Sequence, residues 1–196
     1  MLHKLIIGIL LIGISITHNF NYTMSNINLY QKIYMNAKAR GLTDNANYVV
    51  IDFSKSSKTK RLSIIDSDTG NVIYSTYVTH GSGSGKGEIP TSFSNKPGSY
   101  ATSIGVYNTK EYYNGKHGRV LRVNGLEKGY NDRAYDRYIE VHPADYIGNG
   151  KTGKSQGCFA VPTADFAYIS SKLKPRTIII AYFPDKGWLA NSTFIK

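Results

Sequence analysis

A chain of 196 residues, 41% of them apolar, can build one packed domain and is not a disordered polymer. The net charge of +11 points to anionic surroundings, but the basic residues are scattered and carry no nucleic-acid-binding signature, so nucleic acid is not an expected partner. The single cysteine, Cys158, excludes an internal disulfide and a cysteine-cluster metal site, and neither metal nor cofactor is expected.

In chain order, Met1–Thr17 carries Lys4 and then an apolar run from Leu5 to Ile16, broken only by Gly8, Gly13 and Ser15. The run has the length of a signal-peptide core and falls short of the roughly 20 residues a membrane span needs. Residues 1–18 therefore read as an export signal. No clear small-residue cleavage site precedes Asn19, so an uncleaved anchor tethering the protein to a membrane is the alternative. Residues 19–47 form a helical extension. Within it Asn28–Arg40 places Leu29, Ile33 and Ala37 at helical spacing, and Gly41 suits its end.

From residue 48 to 183 the texture is that of strands, as sixteen tyrosines and many Thr, Val and Ile residues favour. Tyr48–Ser54, Arg61–Asp66 and Asn71–His80 alternate, and Ser67-Asp68-Thr69-Gly70 gives a hairpin turn with Gly70 free to take positive φ. Gly81–Pro97 is too rich in Gly, Ser and Pro for regular structure. Strands resume directly at Ser103–Tyr107, so it reads as a long surface loop rather than a linker. Arg119–Val123 and Arg137–His142 are further strands, with loop between them over Asn124–Arg133. Thr163–Leu173 is an amphipathic helix ended by Pro175, and Thr177–Tyr182 is a buried strand. Residues 184–196 read as a tail, and there is no internal repeat and no second domain.

The chemistry concentrates in Tyr138–Pro162. A strand ends in His142, a loop carrying Gly148, Gly150, Gly153 and Gly157 follows, and the loop ends at Cys158. Fifteen residues separate His142 from Cys158, too many for helix neighbours but suited to a strand end met by a returning loop. An imidazole beside a thiol can hold it as thiolate, the nucleophilic form, and Gly157 lets the backbone approach closely enough for the N–H groups of Gly157 and Cys158 to face an oxyanion. A lone buried thiol and a structural histidine are the alternative for the same residues. His80, at a strand end, reads as structural.

Val141-His142, the glycine-rich loop and Ser155-Gln156-Gly157-Cys158 together resemble the catalytic motif of the murein L,D-transpeptidase catalytic domain family, in which a histidine precedes an S-x-G-C segment. His80-Gly81, Pro97-Gly98-Ser99, Tyr113-Asn114-Gly115-Lys116-His117-Gly118, Gly125-Leu126-Glu127, Asn131, Arg137 and Ala144-Asp145-Tyr146 follow that family's pattern in order. The resemblance implies a mainly β fold, a sandwich or barrel with a few short helices, over residues 48–183. It implies Cys158 as nucleophile on the third residue of a peptidoglycan stem tetrapeptide, with loss of D-alanine and passage of the thioester to an amine, giving a 3→3 crosslink, or to water. It further implies His142 as base and then acid, the Pro143 carbonyl as its orienter, Ser155 and Gly157 as support, a periplasmic or envelope location, and acylation by carbapenems.

Tyr113, His117 and Arg119 are the expected substrate-binding residues, an arginine being able to hold a stem carboxylate through two hydrogen bonds. The chain departs from the wider superfamily at Gln156 and Ala160, and from its own branch at Pro143. Those departures leave the carboxylate's partner open. A hydrolase on the same site and a non-catalytic wall-binding module are the competing functions. The expected partners are stem peptides, and the expected state is a monomer.

Overall fold

The computed structural model describes residues 28–116, 118–148, 151–152 and 154–196. The apolar run at the N-terminus, and with it the signal-or-anchor question, lies outside the described residues, as does His117. Among the described residues no helix is long and apolar enough to cross a membrane.

Helix α1 spans 28–39. Strands β1 (Asn47–Asp52), β2 (Leu62–Asp66) and β3 (Val72–Thr76) follow, then β4 (Gly105–Gly115), β5 (Gly118–Gly125) and β6 (Glu140–Ala144). A two-stranded ribbon, β7 (Ile147–Gly148) and β8 (Lys151–Thr152), leads to β9 (Phe159–Pro162), helix α2 (Thr163–Lys172), β10 (Ile178–Tyr182) and helix α3 (Lys186–Asn191). Eight strands form one sheet in the order β3-β2-β1-β10-β4-β5-β6-β9. The β1–β10 and β6–β9 pairs are parallel and the other neighbours are antiparallel.

The period-2 alternation of the strands explains why both faces of this sheet are covered. Val49, Ile51, Ile179 and Ala181 face a core they share with Phe166, Ile169 and Leu173 at α2. Their neighbours Tyr48, Val50, Ile178, Ile180 and Tyr182 face a second core. That core is roofed by Ile33, Tyr34 and Ala37 of α1 together with Trp188 and Phe194. The last residues, expected as a tail, therefore fold onto the sheet: Trp188 is fully buried and its Nε1 donates to Glu127 Oε2 at 2.8 Å. Asn36 of α1 donates to Phe194 O at 2.8 Å, joining the two ends of the described chain.

The expected strand Asn71–His80 is shorter than its pattern. It leaves β2 after Thr76 and crosses to the opposite edge of the sheet, where Thr79 N–H donates to Ala160 O of β9 at 2.9 Å. Next to it Ser155 N–H donates to His80 O at 3.1 Å, and Ser82 N–H donates to Ser155 O at 2.8 Å. The sandwich or barrel expected from sequence is thus a single curled sheet whose two edges meet beside Ser155. Part of the glycine-rich loop between His142 and Cys158 is the β7–β8 ribbon.

Candidate active site

The parallel register of β6 on β9 places the two predicted groups. Val141 pairs with Phe159 and His142 with Ala160. Val141, Phe159 and Val161 point into the α2 core. By alternation, Glu140, His142, Cys158 and Ala160 lie on the opposite face, where paired residues of parallel strands project side by side. Cys158 and His142 accordingly line one cavity of about 370 Å³, together with Tyr113, Lys116, Tyr138, Glu140, Tyr146 and Lys154. A second cavity of about 350 Å³, lined by Tyr100 and Arg137, also reaches Cys158.

His142 is buried, and its Nδ1 lies 3.0 Å from Pro143 O. A carbonyl only accepts, so the Nδ1 carries the proton and Nε2 is the basic nitrogen of the neutral ring. The Cys158 Sγ–H donates to Tyr138 O at 3.5 Å. Tyr138 sits in the left-handed region (φ +55°), and that turn brings its carbonyl to the sulfur.

A carbonyl beside the sulfur favours the protonated thiol. Burial pushes the Cys158 thiol up to about 11; the Glu140 carboxylate adds to the rise, and the Glu140 N–H, Arg137 and Arg122 only partly offset it. Glu140 stands two residues before His142 on the same face and takes a hydrogen bond from the Tyr113 hydroxyl.

Gly157 also plays a different part from the one expected. Its N–H donates to Ser155 Oγ at 3.1 Å, so it closes the turn rather than facing an oxyanion. Ser155 Oγ donates in turn to Cys158 O at 2.7 Å. At φ +116° an added Cβ would lie 2.8 Å from Ala101 O, so this turn requires glycine.

Of the expected substrate contacts, Tyr113 lines the cavity. Arg119 does not: it pairs with Asn114 across β4–β5 and shares the face of Leu121, and its guanidinium lies over the Tyr112 ring at 4.4 Å. Parity explains the correction, because Arg119 is one residue out of phase with the face that carries Val120 and Arg122. Arg122 pairs with Glu140 and lies under the site, with Tyr135 at 4.0 Å and Tyr138 at 4.5 Å from its guanidinium.

The sequence reading passed over Glu140, Tyr138, Lys154 and Arg122. The signal for Glu140 and Arg122 was available in strand alternation. That for Tyr138 and Lys154 was not, since both act through backbone turns and distant partners.

Comparison with known proteins identifies the family. The family model described as the L,D-transpeptidase catalytic domain matches residues 18–182. Among solved structures the chain is similar to an L,D-transpeptidase from Mycobacterium smegmatis, at 13% identity and TM-score 0.45, over 70% of this chain and 59% of that one. It is also similar to one from Stackebrandtia nassauensis, at 17% identity and TM-score 0.44, over 74% and 59% of the two chains. A third, from Mycobacterium tuberculosis H37Rv, is 14% identical with TM-score 0.42, over 70% and 58%. The chain spans about three-fifths of the length of these proteins. No curated protein matches it. The family match covers most of the sequence, and the chain belongs to the L,D-transpeptidase catalytic domain family.

Proposed function

We propose that the protein is a cysteine-dependent L,D-transpeptidase of peptidoglycan, exported to the cell envelope. The observation that carries this reading is the shared cavity of Cys158 and His142, with His142 Nδ1 fixed on Pro143 O so that Nε2 is the base. Cys158 Sγ attacks the carbonyl of the third residue of a stem tetrapeptide. With the thiol pKa raised by burial, its proton passes to His142 Nε2 as the C–S bond forms. His142 then gives that proton to the departing D-alanine nitrogen, leaving a thioester. The Cys158 N–H is the proposed oxyanion donor, since the Gly157 N–H is held by Ser155. Lys116, at the cavity, is the proposed cation for the stem carboxylate.

The second cavity at Cys158 favours transfer over hydrolysis, because it gives a second peptide its own approach to the same sulfur. The excess of basic residues suits an anionic wall. Intact-protein mass spectrometry with a tetrapeptide donor tests the thioester, and product analysis tests the acceptor. New 3→3 dimers support the transpeptidase. Shortened monomers alone would make it a hydrolase on the same residues. No adduct on Cys158 would reject both.

A further inference from the structure

One charged group on the wall of the nucleophile's cavity takes no part in the steps above. Glu140 stands two residues before His142 on β6, so alternation turns both side chains to the face of Cys158. It is the only carboxylate among the described residues that line this cavity, which also carries two cations, Lys116 and Lys154. Its Oε1 accepts the Tyr113 hydroxyl. That bond is the first cause that pushes the Tyr113 hydroxyl up to about 12, so Tyr113 keeps its proton and the carboxylate is the acceptor.

Glu140 is buried, at 8% exposure, and a buried carboxylate costs free energy unless a cation or several donors meet it. Its register partner across β5–β6 is Arg122. That guanidinium is committed elsewhere: it donates to Tyr135 O and lies against the rings of Tyr135 and Tyr138. Among the described residues the ion pairs are those of Asp52, Glu88 and Asp44, and none includes Glu140. In a chain of net charge +11, a carboxylate on the wall of the reaction cavity that pairs with no cation of the protein suits a cation brought by the substrate. The charge also acts on the sulfur, because burial first and then the Glu140 carboxylate raise the Cys158 thiol. A cation seated on Glu140 cancels that second cause.

We propose that Glu140 is a specificity-determining residue that binds the side-chain ammonium of the donor stem's third residue, so that the enzyme selects stems carrying a diamino acid there. The inference rests on the transpeptidase reading and names the substrate class for it. Tyr113 fixes one carboxylate oxygen, and the ammonium donates to the other. Lys116 takes the stem carboxylate, so the two ends of a zwitterionic side chain meet opposite charges on one wall. No covalent bond changes in this step. It sets the third-residue carbonyl beside Cys158 and quiets a negative field at the sulfur just as the thiol gives its proton to His142. A third residue without the ammonium leaves Glu140 buried and unpaired, and is disfavoured for that reason.

Two synthetic stem tetrapeptides test this in the full chain, one with diaminopimelate and one with α-aminopimelate as third residue, which differ only in the side-chain ammonium. Acylation of Cys158 is followed by intact-protein mass spectrometry. Wild type is expected to prefer the first donor by about tenfold or more. Glu140→Gln keeps an acceptor for Tyr113 and is expected to erase the preference by slowing the first donor alone. A wild-type preference below about threefold, or equal slowing of both donors in Glu140→Gln, would overturn the proposal, the second result marking a structural role only. Calorimetric binding of the two peptides to Cys158→Ala, with and without Glu140→Gln, separates this inference from the reading beneath it. If wild type forms no thioester, the transpeptidase reading fails. A tenfold difference in Kd that Glu140→Gln removes would then keep the ammonium site, and equal Kd values would reject it as well.

Discussion

Two histidines of this chain are almost equally hidden, His142 at 3% exposure and His80 at 2%, yet they carry opposite tautomers. At His142 the Nδ1 partner is a carbonyl, so Nε2 is the basic nitrogen. At His80 the Nδ1 partner is a guanidinium, so Nε2 carries the proton. Burial is therefore not what separates a base from a structural group here; the chemistry of one hydrogen-bond partner is. That partner is a backbone atom in the first case and a residue 19 positions away in the second.

The most drastic way to test the contrast is to remove the sulfur that one histidine serves. Cys158→Ala is expected to abolish the mass adduct with a tetrapeptide or a carbapenem and to reduce turnover by about a thousandfold or more. A wall-binding module without catalysis would keep all its activity. His142→Gln comes next, with an expected loss of about a hundredfold in acylation. The pH profile of alkylation sharpens the point. Because the thiol is raised to about 11 from its ordinary 9.0, iodoacetamide labelling of Cys158 should climb through pH 9 towards 11. A plateau below pH 8 would instead indicate the preformed ion pair expected from sequence.

The other histidine is expected to show in stability rather than rate. Its folded value of about 4 lies below the ordinary 6.5, with burial the first cause and the charges of Arg61 and Lys154 behind it. Between those values the unfolded chain binds the extra proton. Stability is thus complete above pH 6.5 and falls as the pH drops towards 4, by roughly 3 kcal/mol if His80 alone titrates. Urea midpoints at pH 7 and pH 4 measure this loss, and His80→Gln should flatten the dependence.

The sequence carried the fold where side-chain periodicity carries information. The turn at Gly70, the strands of β1 and β10 and the helix after Pro162 are local patterns. His142 and Cys158 were legible because a nucleophile, a base and a glycine turn follow one another within a short span. The parallel pairing of β6 with β9 was not legible, because β9 is only four residues long and its partner lies across a ribbon. The C-terminal helix was missed for a similar reason. Trp188 is its one fully buried side chain, and what holds it is Glu127, far away in sequence. The cluster of His80, Arg61 and Lys154 depends on three segments meeting and has no sequence pattern at all.

The smallest expected effect belongs to Arg119, and it decides whether strand parity is a sound guide to this site. As a carboxylate clamp, Arg119 would raise KM severalfold when lost. The structure instead sets it over the Tyr112 ring, on the face turned towards α2, where Tyr112 donates to Ser170 O at 2.9 Å and Leu173 O at 2.8 Å. An exposed cation over an aromatic ring contributes about 0.5–1 kcal/mol. Arg119→Ala should therefore lower stability by about that amount, read as a small drop in the urea midpoint, and change KM for the tetrapeptide by less than about twofold. Tyr113→Phe, one residue out of phase with the Tyr112 on which Arg119 lies and hydrogen-bonded to Glu140, is the contrasting variant. It should shift KM or acylation while leaving the midpoint close to wild type. If the two variants exchanged these effects, the site would lie on the α2 face of the β4–β5 hairpin, and the assignment of Glu140, Arg122 and Tyr113 to the cavity side would have to be abandoned.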